Sequence, residues 1–87
     1  MYSFIPKDKR ILITGGTGFL GRRLIERLYK DNELIIYSRD EAKHYSLKEK
    51  YPNINFVIGD IRDKDLLKRS SNGVNIGIFA ASLKRIS

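Results

Sequence analysis

Arg10-Ile11-Leu12-Ile13-Thr14-Gly15-Gly16-Thr17-Gly18-Phe19-Leu20-Gly21 is the stretch from which the rest of the chain can be read. Ile11 to Thr14 are apolar or β-branched without interruption, as in a parallel-sheet strand buried on both faces. Glycines follow at once. After them Leu20, Leu24, Ile25 and Leu28 recur at helical spacing. Gly15 has access to backbone angles closed to residues with side chains. Gly18 admits close approach of a bulky group, and Gly21 lets the helix sit tight against the strand. Unpaired N–H groups and the positive end of a helix dipole then face whatever lies beyond the turn, and a pyrophosphate suits them. A glycine-rich turn with no ligand is the alternative; the flanking strand and helix are the context that favours a dinucleotide.

The 87 residues allow one small domain, which buries only roughly 60–65% of its unfolded surface. With 41% hydrophobic and 31% charged residues, the composition is that of a folded globular chain. No run approaches the roughly 20 apolar residues of a membrane span, so no membrane partner is expected. The start, Met1-Tyr2-Ser3-Phe4-Ile5-Pro6-Lys7, has no apolar core of a secretory signal, and cytoplasm is the default location. Absence of cysteine excludes a disulfide, a thiolate metal site and a cysteine nucleophile, and no metal site is read elsewhere. The net charge of +7 raises nucleic acid as a partner. The basic residues are scattered, however, and do not interleave with aromatics, so a solvated basic surface is the expectation and nucleic-acid binding is not.

Residues 1–9 read as a leader and 10–87 as a partial dinucleotide-binding domain. The first helix is expected over 18–30, ended by Asp31-Asn32, with Glu26 and Lys30 paired on its outer face. Leu34 to Tyr37 form the second strand, and 41–50 a mostly polar helix closed by Pro52-Asn53. Ile54 to Ile58 form the third strand and 64–70 a short helix. A fourth strand over 74–81 is interrupted by Asn75 and Gly77. Strict alternation of strand and helix implies a parallel sheet with right-handed crossovers. The fold class is α/β: the N-terminal half of a Rossmann fold, four parallel strands in the order 3-2-1-4 with flanking helices, ligands lying beyond the strands' carboxyl ends.

At the second strand's end an acidic residue selects NAD, whereas a hydroxyl with an arginine accommodates the 2′-phosphate of NADP. Ser38 and Arg39 stand there, with Lys43 one helical turn on, which selects NADP; Asp40 keeps NAD open as the alternative. Asp60, ending the third strand, either accepts from the adenine amino group, with Ile61 beside it, or caps the next helix. Lys84 either reaches a phosphate or substrate or is a solvated terminal lysine. His44, the lone histidine, is placed on the surface.

Thr14 to Gly21 resembles the fingerprint of the extended short-chain dehydrogenase/reductases. Tyr37-Ser38-Arg39-Asp40-Glu41, Tyr51-Pro52-Asn53, Gly59-Asp60-Ile61-Arg62-Asp63 and Ala80-Ala81-Ser82-Leu83-Lys84 are similar to the UDP-N-acetylglucosamine 4,6-dehydratases of polysaccharide biosynthesis. The resemblance covers residues 10–86. It implies a bound NADP that takes a hydride from C4 of a UDP-sugar, followed by loss of water and return of the hydride at C6. It further implies Gly15, Thr17, Gly18, Phe19, Leu20 and Gly21 around the pyrophosphate, and Ser38, Arg39 and Lys43 on the 2′-phosphate. Asp60 and Ile61 would hold the adenine, Ala80 and Lys84 the nicotinamide side, with Lys84 also at the sugar nucleotide. Gly77, Phe79, Arg85 and Ser87 depart from the family pattern. Tyr29, Tyr37, Tyr45 and Tyr51 all lack a lysine four residues on, so the family's catalytic tyrosine-lysine pair has no counterpart, no catalytic residue is assigned, and no turnover is expected. The expected partners are a UDP-sugar in a full-length context, a complementing catalytic half, or a second copy docked through the exposed fourth strand. A free-standing binding or regulatory module and an inactive remnant are the alternatives.

Overall fold

The computed structural model describes residues 5–80. Seven elements follow one another: β1 (Arg10–Thr14), α1 (Phe19–Leu28), β2 (Glu33–Ser38), α2 (Glu41–Lys50), β3 (Asn55–Ile58), α3 (Lys64–Ser70) and β4 (Ile76–Phe79). The strands are parallel and lie in the order β3-β2-β1-β4. This is the half-Rossmann arrangement that the strand–helix alternation implies.

The uninterrupted apolar runs have a direct explanation. Ile11, Ile13, Leu34 and Ile36 pack with Ile25, Leu28, Leu47 and Tyr51 of the α1 and α2 segments. Leu12, Ile35 and Tyr37 point the other way, toward Leu66 and Leu67 of α3. A strand covered on both faces has no solvent side on which polar residues could alternate.

Local signals set the ends. Asn32 stops α1: its Nδ2 donates to the Leu28 and Pro6 carbonyls, and its Oδ1 accepts from the Lys9 N–H. Asp40 caps α2 by accepting from the Lys43 N–H, and Asp63 caps α3 by accepting from the Leu66 N–H. Asn75, which breaks the fourth apolar run, continues the pairing of β4 with β1. Its N–H donates to the Arg10 carbonyl at 2.8 Å, and its Oδ1 accepts from the Arg10 N–H at 2.8 Å. The strand itself is therefore shorter than the run expected from 74 to 81. Glu26 pairs with Arg23, at 3.9 Å, rather than with Lys30.

His44 corrects the expectation of a surface histidine. It is 4% exposed, with its ring 5.2 Å from that of Phe56 on β3. His44, Leu47 and Tyr51 form one buried stripe on an otherwise polar helix, and their three- and four-residue spacing was the available signal.

Candidate nucleotide site at the carboxyl edge of the sheet

The glycine turn joins β1 to α1 as a tight elbow. Gly15 has a φ of 70° and its N–H donates to the Tyr37 carbonyl at 2.9 Å, so the turn is tied to β2. At Gly21 a Cβ would fall 2.3 Å from Gly16 backbone atoms, which is why helix and turn can lie in contact there only without a side chain. At Gly18 a Cβ would meet nothing within 4 Å. No packing constraint explains glycine at that position, and the space beyond it is open. Gly18 is also the N-cap of α1, where no side chain caps the helix and no acidic residue occupies the first turn. The first N–H groups of α1 thus have no side-chain acceptor, the condition under which a helix start receives an anion. Thr17 is buried, Phe19 and Leu20 are exposed beside the turn.

A cleft of about 660 Å³ opens next to Gly15 and collects residues from the ends of three strands: Ser38 and Arg39 after β2, and Asp60, Ile61 and Arg62 after β3. Its floor is Tyr37, fully buried, whose hydroxyl donates to the Asp60 carbonyl at 2.8 Å. Burial, and then the nearby Asp63 and Asp60 carboxylates, push that hydroxyl's pKa up, so it remains a donor. Gly59 makes room for it, since a Cβ there would lie 2.7 Å from the Tyr37 hydroxyl. Neither of these two roles was read from the sequence, where Tyr37 looked only like an apolar strand residue.

The polar groups at the mouth are already organised. Ser38 Oγ accepts from the Asp40 N–H at 3.1 Å. Asp40, the residue that kept NAD open, caps α2 through Oδ1, and its Oδ2 lies 3.8 Å from Lys43 Nζ. Asp60 is not the cap of α3, because Asp63 holds that position. Its Oδ1 accepts from the Arg62 N–H at 2.9 Å and Nε at 3.1 Å, and its Oδ2 accepts from Arg62 at 2.9 Å and Arg39 at 3.3 Å. Bonds from the Arg62 side chain and N–H, with the Arg39 charge adding to them, hold the Asp60 carboxyl well below the usual carboxylate range. Arg62 was quoted in the sequence only as part of a motif. Its part here depends on a two-residue turn that no periodicity reveals.

The turn and the cleft therefore bring together Gly15, Gly18, Ser38, Arg39, Asp60 and Ile61, with Lys43 at the rim. Ala80 is buried just beyond β4, and Lys84 lies outside the described residues. Among the described residues no helix is long and apolar enough to cross a membrane, and no group of three or more His, Asp or Glu side chains could hold a metal ion.

Comparison with known proteins agrees with this geometry. The chain is 42% identical to a UDP-N-acetylglucosamine 4,6-dehydratase (inverting) of Campylobacter jejuni subsp. jejuni serotype O:2, over 90% of this chain and 25% of that protein. It is 36% identical to a UDP-glucose 4-epimerase of Rickettsia rickettsii, over 91% of this chain and 26% of that protein. The X-ray structure of Pen from Bacillus thuringiensis superposes with a TM-score of 0.74 and 33% identity, covering 82% of this chain and 23% of that one. The chain thus spans about a quarter of the length of the relatives it matches. Residues 11–87 match the family described as polysaccharide biosynthesis protein, and the chain belongs to that family.

Proposed function

We propose that this chain forms the NADP-binding N-terminal portion of a nucleotide-sugar 4,6-dehydratase or epimerase acting on a UDP-sugar. The observation that carries the reading is the cleft itself, where the glycine elbow after β1 and two arginines after β2 and β3 border one cavity. An uncapped helix start with an open Gly18 fits a pyrophosphate, and Ser38, Arg39 and Lys43 fit a 2′-phosphate. That Asp40 caps α2 supports NADP over NAD, because its carboxylate is engaged away from a ribose hydroxyl.

Within this reading the chain's residues bind and orient. Gly18 to Leu20 receive the diphosphate at the helix start, Arg39 and Ser38 grip the 2′-phosphate, and the Asp60–Ile61 segment borders the adenine. The bound cofactor supplies hydride removal from C4 of the sugar and its return. Proton transfer to and from the sugar belongs to groups other than the tyrosines of this chain, none of which has lysine four residues on.

Calorimetric titration with NADP(H) and NAD(H) tests the assignment. Arg39→Ala is expected to weaken NADP by about 10- to 100-fold, the effect of losing a charge-assisted hydrogen bond, while leaving NAD within about threefold. Equal losses for the two cofactors would remove the 2′-phosphate assignment.

A further inference from the structure

We propose that Arg62 is a positioning residue of this site: by holding the Asp60 carboxylate, it leaves Arg39 free to pass from Asp60 to the 2′-phosphate. The inference rests on the NADP reading above and concerns how that selectivity is prepared.

A carboxylate offers about four acceptor positions, and those of Asp60 receive four donors. Three come from Arg62, two residues on, at 2.9, 3.1 and 2.9 Å. The fourth, from Arg39, is the longest at 3.3 Å. The local bonds close a small ring within one turn, so they form whether or not a ligand is present. Arg39 comes from another loop, and its side chain is 74% exposed. It is the donor that can leave.

The charges point the same way. Two guanidinium groups face one carboxylate at the mouth of the cleft. Arg62 alone neutralises Asp60, so Arg39 moves to a phosphate without stranding a bare carboxylate beside a dianion. Its departure also opens one acceptor position on Asp60 Oδ2, on the side where an adenine amino group would lie. Without Arg62, Asp60 and Arg39 become a one-to-one pair, and a phosphate must compete with a carboxylate for the same guanidinium. The Arg62 side chain is 82% exposed, so this role does not arise from core packing.

The test is calorimetric titration of the chain with NADP⁺ and NAD⁺ for the unaltered protein, Arg62→Ala and the double variant Asp60→Asn/Arg62→Ala. Arg62→Ala is expected to lower NADP⁺ affinity about tenfold, the cost of one charge-assisted bond, while NAD⁺ changes less than about threefold. The double variant, in which no carboxylate competes for Arg39, is expected to recover most of the loss. Equal losses for both cofactors, or no recovery in the double variant, would overturn the proposal while leaving the NADP site standing. Should circular dichroism show Arg62→Ala unfolded, Arg62→Gln supplies the same comparison. An unaltered chain that binds neither cofactor would overturn the NADP reading and this inference with it.

Discussion

Gly18 and Gly21 stand three residues apart and answer to different constraints. A Cβ at Gly21 would overlap the Gly16 backbone at 2.3 Å, and backbone cannot rotate aside as a side chain can. Gly21→Ala is therefore expected to cost about 1–3 kcal/mol, the range for forced overpacking, and thermal melting would register it. Gly18 has φ −85° and ψ −174°, angles that alanine adopts without strain, and open space where the Cβ would go. Gly18→Ala is expected to leave stability within about 0.5 kcal/mol, yet to weaken dinucleotide binding where the methyl meets the diphosphate. Calorimetry beside a melting curve separates the two. A Gly18→Ala variant that binds as well as the parent would show that the open space is not where the diphosphate lies. Tyr37 makes a related point: the hydroxyl that looks idle in an apolar strand holds the Asp60 carbonyl from below, in a gap left by Gly59.

Among the elements, α2 shows how little polarity says about burial. Only its stripe of His44 and Leu47, continued by Tyr51, packs on the sheet side, and neither ring nitrogen of His44 has a hydrogen-bond partner. Burial penalises the imidazolium more than the Asp40 and Glu41 carboxylates favour it, so the pKa lies below its ordinary 6.5. The sign follows from proton binding. Below about pH 6.5 the unfolded chain takes up a proton that the folded chain resists, so stability falls as pH drops through that window and is intact above it. Melting temperatures at pH 5 and pH 8 are expected to show this loss, and His44→Leu to flatten it. An unchanged slope in His44→Leu would assign the effect to another group. The same element marks the limit of sequence reading here. β1 and β2 were legible because both their faces are buried, and the glycine elbow because its constraints are local. The burial of His44 and the Arg62–Asp60 ring were not, because each depends on which neighbour the chain brings alongside.

At the scale of the whole molecule, the sheet is a core of two strands flanked by two thinner ones. β1 and β2 contribute all of their central side chains to the buried layers, whereas β3 and β4 alternate between half-buried and exposed positions. Among the described residues β4 has a ladder partner on one flank only, β1. Phe79 at its end is 55% exposed, and Gly77 contributes no side chain to cover the strand. An edge with free N–H and C=O groups beside exposed apolar surface attracts another strand. The expected consequence for the 87-residue chain is concentration-dependent self-association, seen as a sedimentation coefficient that rises with loading. Phe79→Lys places a charge beside that edge, the device by which edge strands resist pairing, and is expected to return the chain toward a monomer. A monomer at every concentration would exclude pairing through β4. Association unaffected by Phe79→Lys would move the contact elsewhere, with the apolar groove between Ile5, Phe19 and Leu24 on α1 as the next surface to test.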